Sequence, residues 1–269
     1  MSRQPTADRL TIILPTYMEK ANIAEMLGTL TSLYPGVRII VADDNSTDGT
    51  AEDVEAIALA NPCVSIIRRN PGDRGLTASV MEGIENASTE FFVVMDADFQ
   101  HPPAAVKKIL DKLGENDLVV GVRYSKMPLK SIRRHASGGA QTLASIYLMS
   151  CRQPHTHDNM SGFFGGRTKL FQEIIQQSGH KFERPGFKVL FDFLKFMPRN
   201  ARIDEIRFDF GERKGGESKL NSRIILSVLR QCGILGRGLA TILEVFCTSH
   251  AGRVAGLFIL ALLAVLLFL

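Results

Sequence analysis

Short β-rich apolar runs recur along the first half of the chain, at 10–14 (LTIIL), 37–42 (VRIIVA), 64–68 (VSIIR), 91–95 (FFVVM) and 118–122 (LVVGV). Helix-like stretches at 22–31, 50–60, 76–87 and 104–113 lie between them. Near-continuous apolar strands separated by helices are the pattern of βαβ units, in which a parallel sheet is covered on both faces. Right-handed crossovers then put the carboxyl ends of the strands along one edge, where ligands bind in open α/β sheets. Further on, 131–149 is helical, 161–166 (SGFFGG) reads as a strand with a bend, 168–177 and 186–196 as helices, and 203–210 (IDEIRFDF) as an alternating strand. The chain has no internal repeat. Its main boundary falls near Asn221, giving an α/β body over 1–220, amphipathic helices over 221–250 and a hydrophobic segment over 251–269.

The last segment changes the picture most. Residues 254–269 (VAGLFILALLAVLLFL) carry no charge. As a helix they rise about 24 Å, short of the roughly 30 Å hydrocarbon core of a bilayer. A short or tilted anchor, a half-span completed by homo-oligomerisation, or the start of a longer membrane region each fits. Upstream, Arg230 and Arg237 lie on one helical face among apolar residues, as interfacial helices with snorkelling arginines do. A buried core helix is the plainer alternative. Residues 1–198 hold 22 basic and 22 acidic side chains, whereas 199–253 hold ten bases against six acids. A neutral body, a basic collar and an apolar tail suit docking on an anionic membrane surface, and the overall charge of +4 does not suggest a nucleic-acid partner. The four cysteines are scattered without a metal-ligand or disulfide spacing, and the amino terminus has no apolar signal core, so a cytoplasmic body is expected.

Three polar clusters follow three of the strands: Pro15-Thr-Tyr17-Met-Glu19, Asp43-Asp44-Asn-Ser46-Thr-Asp48-Gly49, and Asp96-Ala97-Asp98-Phe-Gln100. Singly, each has an ordinary reading as a helix cap or turn. Together, parallel-sheet geometry brings them to one edge. Two carboxylates side by side in sequence, with no basic residue near them, repel each other unless an oxygen-seeking divalent cation relieves the repulsion. Mg²⁺ commonly fills its remaining positions with water and phosphate oxygens, so a metal-bound diphosphate is implied. No G-x-G-x-x-G follows the first strand, and Glu217 stands where a Walker loop needs lysine, so NAD and ATPase readings lose weight. The acid-free stretch 118–157 carries Arg123, Lys126, Lys130, Arg133, Arg134 and Arg152. It reads as a solvated helix face or as a loop that meets a phosphate through Arg133 and Arg134. His155 and His157 read as incidental loop histidines. Phe182, Phe187, Phe191, Phe193 and Phe196 read as packing residues rather than a stacking platform.

These ordered motifs, with His101-Pro-Pro behind the aspartates and Gly121-Val-Arg123-Tyr124, resemble the family 2 inverting glycosyltransferases of the GT-A fold. Arg74-Gly75-Leu76, Asp158-Asn-Met-Ser161-Gly-Phe-Phe and Phe210-Gly-Glu-Arg213-Lys-Gly-Gly-Glu-Ser218-Lys219-Leu220 are similar to its dolichol-phosphate mannose synthase branch. The chain departs from the family pattern at Met18, where Asn commonly precedes the Glu, and at Asn159, where Pro is common.

The resemblance implies an α/β, Rossmann-like, mostly parallel sheet and a set of roles. Pro15, Tyr17, Glu19 and Asp43 would hold the base and ribose of a nucleotide sugar, with Asp44 beside them. Asp96, Ala97 and Asp98 would face the diphosphate, and Asp96, Asp98 and Gln100 a Mg²⁺ or Mn²⁺ ion. Arg123 would lie near the sugar or acceptor phosphate, and Arg213, Ser218 and Lys219 would close over the diphosphate. Arg133, Arg134, Asp158 and Ser161 would serve the acceptor phosphate, Asp158 by orientation rather than as a base.

The implied activity is mannose transfer from GDP-mannose to a dolichyl or other polyprenyl phosphate, with inversion, at the cytoplasmic face of a membrane. The same chemistry with UDP-glucose or another UDP-sugar is the nearest alternative. A catalytically inactive, membrane-anchored nucleotide-binding scaffold is the alternative of another class.

Overall fold

A computed structural model describes residues 6–123 and 131–211 and the isolated positions 231, 232, 238 and 241; over 131–140 it describes the backbone alone. By contacts the chain divides into 1–218 and 219–269. The first unit is built on a seven-stranded sheet ordered β3-β2-β1-β4-β6-β5-β7. Its strands are β1 (Leu10–Thr16), β2 (Arg38–Asp43), β3 (Val64–Arg68), β4 (Phe91–Val94), β5 (Leu118–Arg123), β6 (Phe164–Arg167) and β7 (Ile203–Phe208). Its helices are α1 (Lys20–Leu33), α2 (Thr50–Ala60), α3 (Leu76–Asn86), α4 (Val106–Leu113), α5 (Ser131–Ser150), α6 (Thr168–Ser178) and α7 (Val189–Phe196).

The strand interiors explain the order. All of β1 is buried, and so is all of β4, as central strands covered on both faces must be. β3, at one edge, alternates buried Val64 with exposed Ser65. On one face Leu10, Ile12 and Leu14 meet α1, α4 and Val54 of α2. On the other, Phe92, Phe164, Phe171, Phe193 and Phe182 pack around α6 and α7, mostly edge-on or tilted with Phe164 stacked on Phe171, and centroids 4.7–5.0 Å apart at the closest pairs. Phe182, Phe191 and Phe193 are therefore core, whereas Phe187 is half exposed.

The strand at 161–166 differs from expectation. β6 begins at Phe164 and runs antiparallel to both neighbours, with Val94 beside Phe164 and Phe91 beside Arg167. A lone reversed strand brings its amino end, not its carboxyl end, to the edge shared by the others. That reversal carries the preceding loop, 156–163, to the polar clusters after β1, β2 and β4. The helix expected from 186 starts at Val189, because Gly186 and the residues beside it are spent on loop contacts: Gly186 O accepts from Thr77 N (3.1 Å) and from the Thr77 hydroxyl (3.1 Å).

Candidate active site

Three strand ends form one wall. Thr16 and Asp43 are register partners at the ends of β1 and β2, and the Thr16 hydroxyl donates to Asp43 Oδ1 at 3.0 Å. Asp43 is buried and also accepts from Ser46 N (2.8 Å) and Ser46 Oγ (2.6 Å), which folds the β2 loop over its own strand. The β1 loop then bonds to it: Met18 N donates to Ser46 Oγ (2.8 Å), Glu19 N to Thr50 Oγ1 (3.0 Å) and Lys20 N to Asp48 Oδ2 (3.1 Å). Burial acts to raise Asp48, but the bonds from Thr50 and Lys20 outweigh it and hold the carboxyl below its ordinary value. Glu19 opens α1 and accepts from Asn22 Nδ2 (2.8 Å), while Tyr17 stays two-fifths exposed beneath the Arg74 guanidinium at 5.5 Å.

Left-handed backbone marks each of these loops. Met18, Asn45 and Phe99 have φ of 60°, 61° and 64°. Such residues are uncommon away from glycine, and their grouping at one sheet edge is the strain expected of a binding site.

Asp44 has another partner. Arg69, whose side chain is fully buried, donates through Nη1 to Asp44 (2.6 Å), through Nε to Glu82 (2.9 Å) and through Nη2 to Asp73 O (2.7 Å) and Oδ2 (3.1 Å). The second Asp44 oxygen accepts from Gly75 N at 3.0 Å. Both oxygens of Asp44 thus hold the loop 69–75 against β2. Arg184 pairs with Asp73 from the far side and holds its carboxyl below the usual range. Gly75 has φ +148, and a Cβ there would meet Arg184 O at 2.2 Å, so no other residue fits.

After β4, Asp98 is buried and Asp96 is accessible. Asp98 Oδ1 accepts from Gln100 N (3.0 Å), and Asp96 N donates to His101 Nδ1 (3.0 Å). His101 lies within an aromatic box, stacked on Phe163 at 5.1 Å with Phe208 and Phe210 edge-on. Burial pushes its pKa down against the opposite pull of Asp96 and Asp98. The ring is therefore neutral, and its Nδ1 is an acceptor that fixes the Asp96 backbone rather than a cation paired to the Asp96 carboxylate, although Oδ2 is 3.5 Å away. Gly211 N donates to Gln100 O at 3.0 Å, and in sequence Arg213, Ser218 and Lys219 follow. Those three residues lie outside the described residues.

The reversed strand supplies the opposite wall. Arg123, at the end of β5, lies with Nε 3.7 Å from Asp158 Oδ2 and its guanidinium 4.8 Å over the Phe210 ring. Ser161, expected at the acceptor phosphate, is instead buried with its hydroxyl on Gly121 O (2.7 Å), where it ties β5 to the start of β6. Ala97 is buried and adds no polar group. Arg133 and Arg134 belong to α5, but their side chains lie outside the described residues. Lys188 is the functional candidate that sequence reasoning missed. Its Nζ donates to Met160 O at 3.3 Å. Burial and Arg123 lower its pKa while Asp158 and Asp96 act to raise it, so the amine lies in the field of both walls. Only its place just before the Phe-rich α7 could have hinted at this, because no motif surrounds it.

As a metal site the donor set is small: among the described residues no three His, Cys, Asp or Glu side chains cluster as ligands. Two neighbouring carboxylates, one accessible, fit a cation that draws its other ligands from phosphate and water.

Residues 11–175 match the family described as Glycosyl transferase family 2. The chain belongs to that family. It is 35% identical over 234 residues to dolichol-phosphate mannosyltransferase of Saccharomyces cerevisiae, covering 82% of this chain and 84% of that one. A protein of the same name from Pyrococcus furiosus is 34% identical over 231 residues, but this chain spans only 62% of its length. Polyprenol monophosphomannose synthase of Mycolicibacterium smegmatis is 27% identical over 87% of this chain and 90% of its own. Among solved structures, glucosyl-3-phosphoglycerate synthase from Mycobacterium tuberculosis with uridine diphosphate superposes with a TM-score of 0.59 at 18% identity, covering 86% of this chain and 81% of that one. A crystal of the same synthase with Mn²⁺, uridine diphosphate and glucosyl-3-phosphoglycerate gives 0.56 at 18% identity, over the same shares of the two chains. These likenesses establish the fold. Membership of the family makes the chain an enzyme of glycosyl transfer.

Proposed function

We propose that this enzyme transfers mannose from GDP-mannose to a dolichyl or other polyprenyl phosphate, with inversion at the anomeric carbon. The observation that carries the reading is the pairing of two walls at one sheet edge: the carboxylates Asp96 and Asp98 on one side, and Arg123, Asp158 and Lys188 on the other. The identity to mannosyltransferases of polyprenyl phosphates supports the sugar and the acceptor class.

The nucleoside end of the donor would rest on Tyr17, Glu19 and Asp43, along the Pro15 strand end, and the diphosphate would face Asp96 and Asp98. An oxygen of the lipid phosphate attacks the anomeric carbon. The bond to the diphosphate breaks, and GDP leaves with the electron pair. A phosphate monoester has a second pKa of about 6 and is largely dianionic at neutral pH, so no strong base is needed. What the site must supply is placement and positive potential. Arg123 and Lys188 supply it on the acceptor side, with Asp158 orienting Arg123. Asp96 and Asp98, with Gln100, would hold a divalent cation, Mg²⁺ or Mn²⁺, whose chemistry is to neutralise charge on the departing diphosphate. The Mn²⁺ in the related synthase supports this cation.

The lipid acceptor supports a chain working at a membrane surface, and we propose the cytoplasmic side for its body. Among the described residues no helix is long and apolar enough to cross a membrane. The expected segment 251–269 and the collar arginines Arg223, Arg230, Arg237 and Arg253 lie outside the described residues.

Incubating the full chain with labelled GDP-mannose or UDP-glucose, a polyprenyl phosphate and Mg²⁺ or Mn²⁺ tests the assignment. Lipid-linked label from GDP-mannose is expected, and it should vanish in excess chelator. Label only from UDP-glucose moves the donor, and none from either favours a nucleotide-binding scaffold.

A further inference from the structure

Asn159 departs from the family pattern, and the structure shows what occupies its place. The residue is fully buried, and both side-chain heteroatoms and the backbone N–H are engaged. Its side-chain oxygen accepts from Thr156 N (2.7 Å) and the Thr156 hydroxyl (3.3 Å), and its Nδ2 donates to Ser145 Oγ (2.9 Å). Its backbone N–H donates to Gln141 Oε1 (3.0 Å). Gln141 returns the contact through Nε2, which donates to His157 O at 3.1 Å and lies 3.4 Å from Thr156 O. Gln141 and Ser145 are one turn apart on α5. Asn159 is therefore the bolt between that helix and the loop carrying Asp158.

The loop is held from the other side as well. His157 N donates to Glu205 Oε1 of β7 at 2.7 Å, and the His157 ring meets the second oxygen at 2.8 Å. Asp158 itself lies 3.7 Å from Arg123. Position 134 precedes Gln141 by two helical turns, about 10 Å of rise along the same stripe of α5. Any displacement of α5 by a ligand at its first turn is carried by Gln141 and Ser145 to Asn159, and from there to the neighbouring Asp158. A proline at position 159 would have neither the amide side chain nor the N–H that make this link.

We infer that Asn159 is a positioning residue that couples α5, the acceptor-side helix, to the Asp158–Arg123 pair, so that placement of the phosphate acceptor depends on its amide. The inference rests on the acceptor-side reading of α5 under the proposed function.

The test is steady-state kinetics on the full chain with GDP-mannose and a short-chain polyprenyl phosphate in detergent, together with thermal midpoints. Asn159→Ala and Gln141→Ala should each raise KM for the lipid phosphate about tenfold with KM for GDP-mannose within about twofold, as expected for loss of a contact serving one substrate. The double variant should be no worse than the poorer single one, because both remove one coupled link. Ser145→Ala removes a single bond and keeps the test open if Asn159→Ala fails to fold; it should move the acceptor KM the same way by less. Equal rises in both KM values, or a fall in thermal midpoint with both KM values unchanged, would overturn the coupling. Arg134→Ala separates the two readings. If it leaves the acceptor KM unchanged, the role of α5 falls and the coupling with it. If it raises that KM while Asn159→Ala and Ser145→Ala do not, only the coupling falls.

Discussion

Lys188 and Asp44 show how a residue's role depends on neighbours far away in the chain. Lys188 has its pKa lowered by burial and sits in the combined field of Arg123, Asp158 and Asp96. A donor in that desolvated field acts on developing negative charge with little screening by water. Lys188→Met should lower kcat/KM for mannosyl transfer about 10- to 100-fold while circular dichroism shows the fold retained. Wild-type kinetics in that variant would remove Lys188 from the site. Asp44 is the converse. Its neighbour Asp43 and the polar turn after it, Asn45 to Gly49, make it look like a ligand contact, yet both of its oxygens are occupied by Arg69 and Gly75. The motif could not say which oxygens of this loop remain open, because Arg69 enters from the end of β3.

At the scale of elements, the loop between β3 and α3 is held by a dense set of ion pairs and hydrogen bonds. Arg69 fills its centre, Asp44, Asp73 and Glu82 surround it, and Gly75 closes it against Arg184. The loop presents Arg74 over Tyr17, with Arg74 Nη2 reaching Asn45 O at 3.3 Å. Gly75→Ala must place a methyl within the Arg184 carbonyl and adopt a backbone open essentially to glycine alone, a strain of about 1–3 kcal/mol before the clash is counted. Urea denaturation should show a loss of at least about 2 kcal/mol, and the KM for GDP-mannose should rise more than that for the lipid. An unchanged urea midpoint would mean that the loop relaxes without cost. Strand and helix positions were legible from side-chain period to within a few residues, and the three strand-end clusters did meet. The direction of β6 was not legible. A four-residue run reads alike in either direction, and its antiparallel course follows from pairing with β4 and β5, distant in sequence.

Across the whole molecule, several carboxylates hold loops through bonds made only in the folded state. Asp73 is lowered chiefly by its bond to Arg184 and Asp204 chiefly by its bond to Lys112, while at Asp48 the bonds from Thr50 and Lys20 outweigh a raising effect of burial. Each contributes stability present above the unfolded carboxylate pKa of about 4 and lost as pH falls through the lower folded value. Glu85, raised by burial with no bond strong enough to offset it, works in the opposite sense. Urea midpoints should hold between neutral pH and pH of about 5, then fall steeply below about 4. A flat profile to pH of about 3 would show that these bonds contribute little.

The order of strands and helices, the three acidic or aromatic strand ends and the family were all decided by local sequence, because burial on one or both faces leaves a period that can be read along a few residues. Tertiary structure alone decided that β6 is reversed, that Ser161 and Asp44 face inward, that Lys188 joins Arg123 and Asp158, and that Asn159 bolts the loop to α5. A side-chain period records which face is buried. It holds no information about which distant group will be met there.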